Sequence, residues 1–256
     1  MILVLDIGNS QIFGGVFEAD KLRLQFRRAT RAENTSDEMG LFLRQVLREN
    51  DVDPVGVSAV AMCSVVPDMV HSVRNAIIKY FGCRPFILEP GVKTGLRIRY
   101  RNPLEVGTDR IAGAIAAASL YPRKNVIIVD FGTATTIDAM TAERDYLGGL
   151  ILPGLRIAME SLGTRTARLP KVEIRKPEEL IGRSTIESIQ SGLYYGNLAM
   201  LRQLCADVRA TYFAGSPTVL IGTGGFARLF EEEGMFDAHV PELVLIGLRE
   251  ALLLNR

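Results

Sequence analysis

The sequence predicts an α/β protein of two similar halves, each built on a mixed sheet flanked by helices. Three observations predict it. Residues 2–10 read ILVLDIGNS and residues 126–134 read VIIVDFGTA, so nearly the same phrase opens each half. In both, a short Val/Ile/Leu run of the kind buried on two faces ends in Asp, an apolar residue and Gly. Each then runs straight into a second strand-like segment, 11–18 or 135–139, making a hairpin with a small polar tip, and further strands alternate with helical patterns. One Asp-x-Gly turn after a buried strand is common punctuation. Two of them, one per half, point to an internal duplication: domains 1–120 and 121–256 facing each other, each offering a hairpin tip and a carboxylate to one cleft.

Residues 22–28 alternate and predict a third strand beside the opening hairpin. Thr35-Ser-Asp-Glu38 is a capping box, and Met39, Leu43, Val46 and Leu47 give the helix behind it an apolar face. Residues 57–66 read as a buried strand, Pro67 opens a helix running to about Phe81, and 85–88 is a short strand. Residues 91–107 are irregular and basic, with Arg97, Arg99 and Arg101 around Tyr100. The helix over 111–120 is small-sided, which suits close packing, and on local grounds Thr108 or Asp109 is its N-cap. In the second half the segment from Gly148 to Gly154 reads as a glycine-rich turn into a helix. Ser184-Thr-Ile-Glu187 is another capping box; it opens the longest helix, whose stripe of Ile186, Ile189, Leu193, Met200, Leu204 and Val208 suits a core or a dimer seam. Residues 218–221 form a strand running into Gly222-Thr-Gly-Gly225 and a helix, and Pro241 precedes a final helix over 242–255.

Composition excludes several classes. A net charge of +1 gives no electrostatic reason for nucleic acid or an anionic membrane as partner. No basic n-region precedes the strand at residue 2, and no apolar run approaches the roughly 20 residues of a spanning helix. Cys63, Cys83 and Cys205 are odd in number and scattered, as in a cytoplasmic protein with reduced thiols. With only His71 and His239 besides, the expected metal is a hard cation on oxygen ligands rather than zinc.

There is no G-x-x-x-x-G-K-[ST] and no G-x-S-x-G, which leaves two phosphate-handling readings. Gly222-Thr-Gly-Gly-Phe-Ala227 fits a dinucleotide fingerprint, with Glu242 about twenty residues on, but it lies too near the C-terminus and ignores the duplicated hairpins. A kinase uses more of the residues. Asp6 and Asp130 hold a cation, the tips Gly8, Asn9, Ser10, Gly132 and Thr133 receive phosphate oxygens, and the glycines at 222–225 admit adenosine. Asp109 then serves as base, with Arg110 beside it for an anionic acceptor. A helix N-terminus and an arginine make such an aspartate a weak base; in a loose transition state, orienting the hydroxyl matters more than basicity. A nucleotide-binding accessory protein without catalysis is the competing class, and it has no need of that base.

The segments DIGNS, NPLEVGTDRIAGA, DFGTATT, GGLILPG, RSTIESIQSG and IGTGGFA, in this order from residue 2 to the last helix, resemble the type III pantothenate kinases, a family that also contains the Bvg accessory factors. The resemblance implies two duplicated actin-like (ribonuclease H-like) domains with a cleft between them, in the sugar-kinase-like ATPase superfamily. It implies a phosphotransferase that uses ATP to convert pantothenate to 4'-phosphopantothenate, the first step of coenzyme A biosynthesis. It further implies a cytoplasmic homodimer that needs a monovalent cation, potassium or ammonium, as well as magnesium. Carried over by position, Asp6, Ile7, Gly8, Asn9, Ser10, Gln11, Ile12 and Phe13 form the first ATP segment, and Thr133 contacts ATP. Tyr100, Gly107, Thr108, Asp109 and Arg110 line the pantothenate pocket, Thr185 contacts pantothenate, and Asp109 is the proton acceptor. Asp130 becomes the ligand of the monovalent ion. The chain departs from the family pattern at Gly113, where Asn is expected, and at Ile246, where an acidic residue is expected.

Overall fold

The structure, a computed structural model, describes residues 1–256. The chain forms two compact units: Met1–Leu96 with Arg101–Leu120 and Leu243–Arg256, and Arg97–Tyr100 with Tyr121–Glu242.

The first unit opens on an antiparallel meander of β1 (Ile2–Ile7), β2 (Gln11–Glu18) and β3 (Lys21–Ala29). β4 (Ala59–Ser64) pairs parallel with the other edge of β1, and β5 (Phe86–Ile87) pairs with β4, so the order is β3-β2-β1-β4-β5. That makes β1 a central strand covered on two faces, which is why it is apolar throughout up to its Asp. Leu3, Leu5 and Ile7 join one core with Met39, Leu43 and Leu47 of α1 (Ser36–Arg48) and Met69, Val73 and Ile77 of α2 (Pro67–Phe81). The predicted capping box closes α1 in both directions: Glu38 N–H donates to Thr35 Oγ1 at 3.2 Å, and Thr35 N–H donates to Glu38 Oε2 at 2.8 Å.

On the other face lie α3 (Thr108–Leu120) and α6 (Leu243–Leu254). Leu245 packs at Gly15, the β2 residue paired with Val4. α6 is apolar nearly all round and buries Leu243, Leu245, Leu248 and Ala251, so it needs a partner on more than one side. The alanines of α3 let it approach closely: a Cβ at Gly247 would fall 1.8 Å from the Ala112 carbonyl oxygen. The last helix therefore packs with the first unit, although a cut of the sequence at residue 120 groups it with the second half.

The second unit repeats the plan. β7 (Asn125–Phe131), β8 (Ala134–Met140) and β9 (Asp145–Pro153) form an antiparallel meander, β10 (Thr218–Gly224) pairs parallel with β7, and β11 (Ala238–His239) with β10. β6 (Arg97–Ile98) is added at the free edge of β9, giving β11-β10-β7-β8-β9-β6. Apart from β6, the two sheets have one strand order. The duplication inferred from two nine-residue phrases thus extends over whole sheets.

Three local expectations change. Gly148 and Gly149 lie within β9 rather than in a turn, because Gly149 rests directly on the Ile137 carbonyl of the neighbouring strand. After Gly222–Gly225 comes a short 3-10 helix (Ala227–Glu233) instead of an α-helix. The stripe on α5 (Thr185–Tyr212) divides: Ile189 and Leu193 are buried in this unit with Ile127, Val129 and Phe131, Leu204 and Val208 are half-buried against that core, Met200 is half-buried, and the leading Ile186 is exposed. α4 (Leu155–Arg165) adds Leu155 to that core. The end of β7 is clamped by stacked rings, Phe131 on Phe230 at 5.1 Å and Phe230 on Tyr194 at 5.2 Å. No helix is long and apolar enough to cross a membrane.

The α3–α6 contact makes a paired prediction. Gly247→Ala should lose about 1–3 kcal/mol by overpacking. Gly113→Ala, whose new methyl meets only Leu243 Cδ2 at 3.7 Å, should gain about 0.5–1 kcal/mol of helix stability. Urea unfolding of both variants measures this, and a Gly247→Ala midpoint equal to wild type contradicts the close approach.

Candidate active site

Asp6 is the penultimate residue of β1 and stands in register with Phe13 of β2 and Cys63 of β4, while Phe13 pairs with Arg27 of β3. Residues paired across strands share a face. Arg27, Phe13, Asp6 and Cys63 therefore form one row across the sheet. The row is tied together: the Arg27 guanidinium lies 3.8 Å from the Phe13 ring centre, and the Cys63 thiol donates to Asp6 Oδ1 at 3.3 Å. Burial, with the nearby Asp109 carboxylate adding to it, pushes the Asp6 pKa up to about 7; the Cys63 hydrogen bond and the Arg27 charge act in the opposite direction. Burial and the same two carboxylates hold the Cys63 thiol well above its ordinary range, so it is a protonated donor and not a nucleophile.

Asp109 reaches this row from α3. The helix begins at Thr108, with the Gly107 carbonyl accepting from Ile111 N–H at 3.1 Å, so neither Thr108 nor Asp109 is the N-cap. Both lie in the first turn with other partners. Thr108 Oγ1 donates to the Ser64 carbonyl at 3.3 Å, and Asp109 Oδ1 accepts from Arg110 N–H at 2.8 Å. Gly107 leaves room for this arrangement, since a Cβ there would fall 2.4 Å from Asp109 Oδ1.

The tip of the first hairpin is braced by its third strand. Thr30 Oγ1 donates to the Gly8 carbonyl at 2.6 Å, Thr30 N–H donates to the Ser10 carbonyl at 3.1 Å, and Gly8 N–H donates to the Gln11 carbonyl at 3.1 Å. Asn9, Ser10 and Gln11 are exposed, whereas Ile7, Ile12 and Phe13 are buried. Of the segment 6–13, then, the tip and Asp6 present polar groups, and the three apolar side chains hold them in place.

In the second unit Asp130 has the matching position, penultimate in β7, in register with Thr136 of β8 and Thr223 of β10. Its Oδ1 lies over Gly224, where φ is 87° and a Cβ would fall 2.4 Å away. Only glycine tolerates both that backbone and that neighbour. Thr136 Oγ1 donates to Asp138 Oδ2 at 3.2 Å, the Tyr146 hydroxyl donates to Asp138 Oδ1 at 2.5 Å, and Thr223 Oγ1 donates to the Val240 carbonyl at 2.7 Å. The side chains around Asp130 thus offer oxygen rather than nitrogen or sulfur, the ligand type of a hard cation, but no three acidic, histidine or cysteine side chains gather there. Gly132 and Thr133 form the exposed tip beyond Asp130, and Gly225 N–H donates to the Phe131 carbonyl at 3.1 Å.

The other expected residues divide between the units. Gly107, Thr108, Asp109 and Arg110 belong to the first; Tyr100, its ring against Gly148, and Thr185, the exposed first residue of α5, belong to the second. A groove of about 390 Å³ lined by Arg202, Cys205, Arg209, Leu220 and Glu233 opens near the start of β10, whereas Asp130 and Gly224 stand at its far end. Sequence reasoning missed Cys63 and Arg27. Only strand register brings them to Asp6.

The sequence pattern of the type III pantothenate kinase family matches residues 2–207. A type III pantothenate kinase of Legionella pneumophila (strain Corby) is 52% identical over 255 residues, spanning 100% of this chain and 99% of the relative. That of Elusimicrobium minutum (strain Pei191) is 47% identical over 256 residues, spanning 100% and 99%. Among solved structures, a Baf-family protein of Campylobacter jejuni aligns with TM-score 0.58 at 19% identity over 98% of this chain and 97% of its own. The activator of 2-hydroxyisocaproyl-CoA dehydratase from Clostridium difficile aligns with TM-score 0.52 at 10% identity over 99% and 93%. At such identities these two speak for the fold alone, and that fold is the actin-like one.

The raised pKa of Asp6 has a measurable consequence. The ordinary value is 3.8, so the folded chain keeps a proton that the unfolded chain releases between about pH 4 and 7. Stability therefore falls as pH rises through that window and levels off above it. Asp6→Asn should match wild type near pH 4 and exceed it by roughly 2–4 kcal/mol at pH 8, at 1.36 kcal/mol per pH unit. Urea titrations at both pH values test this; no gain at pH 8 contradicts it.

Proposed function

This chain belongs to the type III pantothenate kinase family and phosphorylates pantothenate with ATP, the first step of coenzyme A biosynthesis; on that premise we propose that Asp109 orients the pantothenate hydroxyl while the two hairpin tips receive the phosphates of ATP. The observation that carries this reading is the approach of Asp109 and Asp6 from different elements, with Asp109 Oδ1 anchored on a helix N–H.

The Arg110 N–H bond sets the plane of the Asp109 carboxylate and leaves it able to accept from the attacking hydroxyl. In a loose transition state the proton leaves late, so the carboxylate serves chiefly to aim the oxygen and takes the proton as the new P–O bond forms. Asn9 and Ser10 on one tip and Thr133 on the other donate to phosphate oxygens, while Gly8, whose N–H is engaged by the Gln11 carbonyl, makes the tight turn that presents them. Of the glycines from 222 to 225, Gly225 has open space beside it to admit adenosine. Tyr100, Gly107, Thr108 and Thr185 enclose pantothenate, and Arg110 offers it a cation. Asp130 would hold the monovalent cation, potassium or ammonium, which together with magnesium supplies positive charge for the phosphates. The enzyme acts in the cytoplasm as a homodimer.

An ADP-release assay with pantothenate, run with and without potassium, tests the assignments. Asp109→Asn should retain wild-type thermal stability and ATP binding while losing about 10²–10⁴-fold in kcat; full turnover would put the base elsewhere. Asp130→Asn should abolish the response to potassium, in rate and in potassium-dependent thermal stabilisation alike. Sedimentation of a single-chain species at assay concentration would count against the dimer.

A further inference from the structure

The carboxylates of Asp6 and Asp109 repel one another, and they are carried by a strand end and a helix start that are far apart in sequence. Something must hold both at a working separation. The end of β4 touches both carriers. Cys63, fully buried, donates its thiol proton to Asp6 Oδ1 at 3.3 Å, a normal length for a sulfur donor. The next residue, Ser64, accepts with its carbonyl from the hydroxyl of Thr108, the residue before Asp109. Ser64 Oγ is in turn fixed on the Val66 backbone, donating to its carbonyl at 2.9 Å and accepting from its N–H at 3.0 Å.

We propose that Cys63 is a positioning residue for phosphoryl transfer: its thiol pins the Asp6 carboxylate while the adjoining Ser64 carbonyl pins the start of α3, so that one dipeptide sets the spacing of the two carboxylates. The second sheet supplies a contrast. There the place of Cys63 is taken by Thr223, beside Asp130 in register, but its hydroxyl donates away to the Val240 carbonyl. The bond at Asp6 is thus not a mere consequence of the duplicated ladder. A thiol also suits the task chemically. It is a weak donor that fixes the direction of the carboxylate without neutralising it as a strong donor or a cation does. The longer Cβ–Sγ bond reaches across the strand spacing, and burial keeps the group from reacting.

The inference rests on the reading that Asp6 and Asp109 serve the transfer, and the test separates the two. Cys63→Val fills the space and suits a strand but has no donor; Cys63→Ser keeps a donor on a shorter arm. In the full-length protein, with melting temperatures recorded, Cys63→Val should lose about tenfold in kcat, the worth of one hydrogen bond to a charged group. Its KM for pantothenate should stay near wild type, and Cys63→Ser should recover most of the kcat. Equal kcat in the Val and Ser variants, whatever its level, overturns the proposal. So does a loss that falls on KM and melting temperature together, as a purely structural role would give. If Asp109→Asn turns over like wild type, the underlying reading has failed instead, and the Cys63 variants then report on folding alone.

Discussion

A carboxylate half-buried near the end of a strand with neighbours on both sides must find most of its compensation within the fold, and Asp6 finds only part of it. β1 lies in the middle of its sheet, so the flanking positions are occupied by Phe13 and Cys63 rather than by water. Asp109 adds a like charge. Against this stand one thiol and one arginine engaged with an aromatic ring. The remaining electrostatic cost is tolerable because the strand beneath is locked by Leu3, Leu5 and Ile7. Local destabilisation and firm scaffolding are two aspects of one arrangement.

The scaffolding has its own logic. α1 and α2 cover one face of the first sheet with regularly spaced large side chains. α3 and α6 cover the other with small ones and a close backbone contact at Gly247. The small-sided helix is also the one whose first turn carries Asp109, and Thr108 ties that turn to β4. Packing on the helix and chemistry at its start therefore constrain one another: a shift of α3 against α6 moves the carboxylate that faces Asp6.

Duplication supplied two rows of the same geometry, and substitution gave them different chemistry. Arg27, Phe13, Asp6 and Cys63 in one sheet correspond to Ile151, Thr136, Asp130 and Thr223 in the other. The first row flanks its aspartate with a thiol, a ring and a cation, and a second carboxylate approaches it. The second row flanks its aspartate with hydroxyl-bearing residues over a glycine floor. On the proposed reading, the first row serves the reacting hydroxyl and the second an oxygen-loving ion.

Sequence alone determined the strands apart from β6, β9 and β11, most of the helices and the two repeated aspartates, because these follow from local periodicity, capping residues and a phrase that occurs twice. It also identified the family, since its short motifs are themselves contiguous. Only the tertiary structure decided that Cys63 and Arg27 meet Asp6, that Thr108 and Asp109 lie inside their helix rather than capping it, that Gly149 is a strand contact, and that Ile189 and Leu193 of the α5 stripe are core. It likewise decided that α6 joins the first unit. The physical reason is common to all of these. Register between strands and the partner of an apolar face depend on residues tens to hundreds of positions away, and no local pattern encodes which of several equally apolar surfaces will meet.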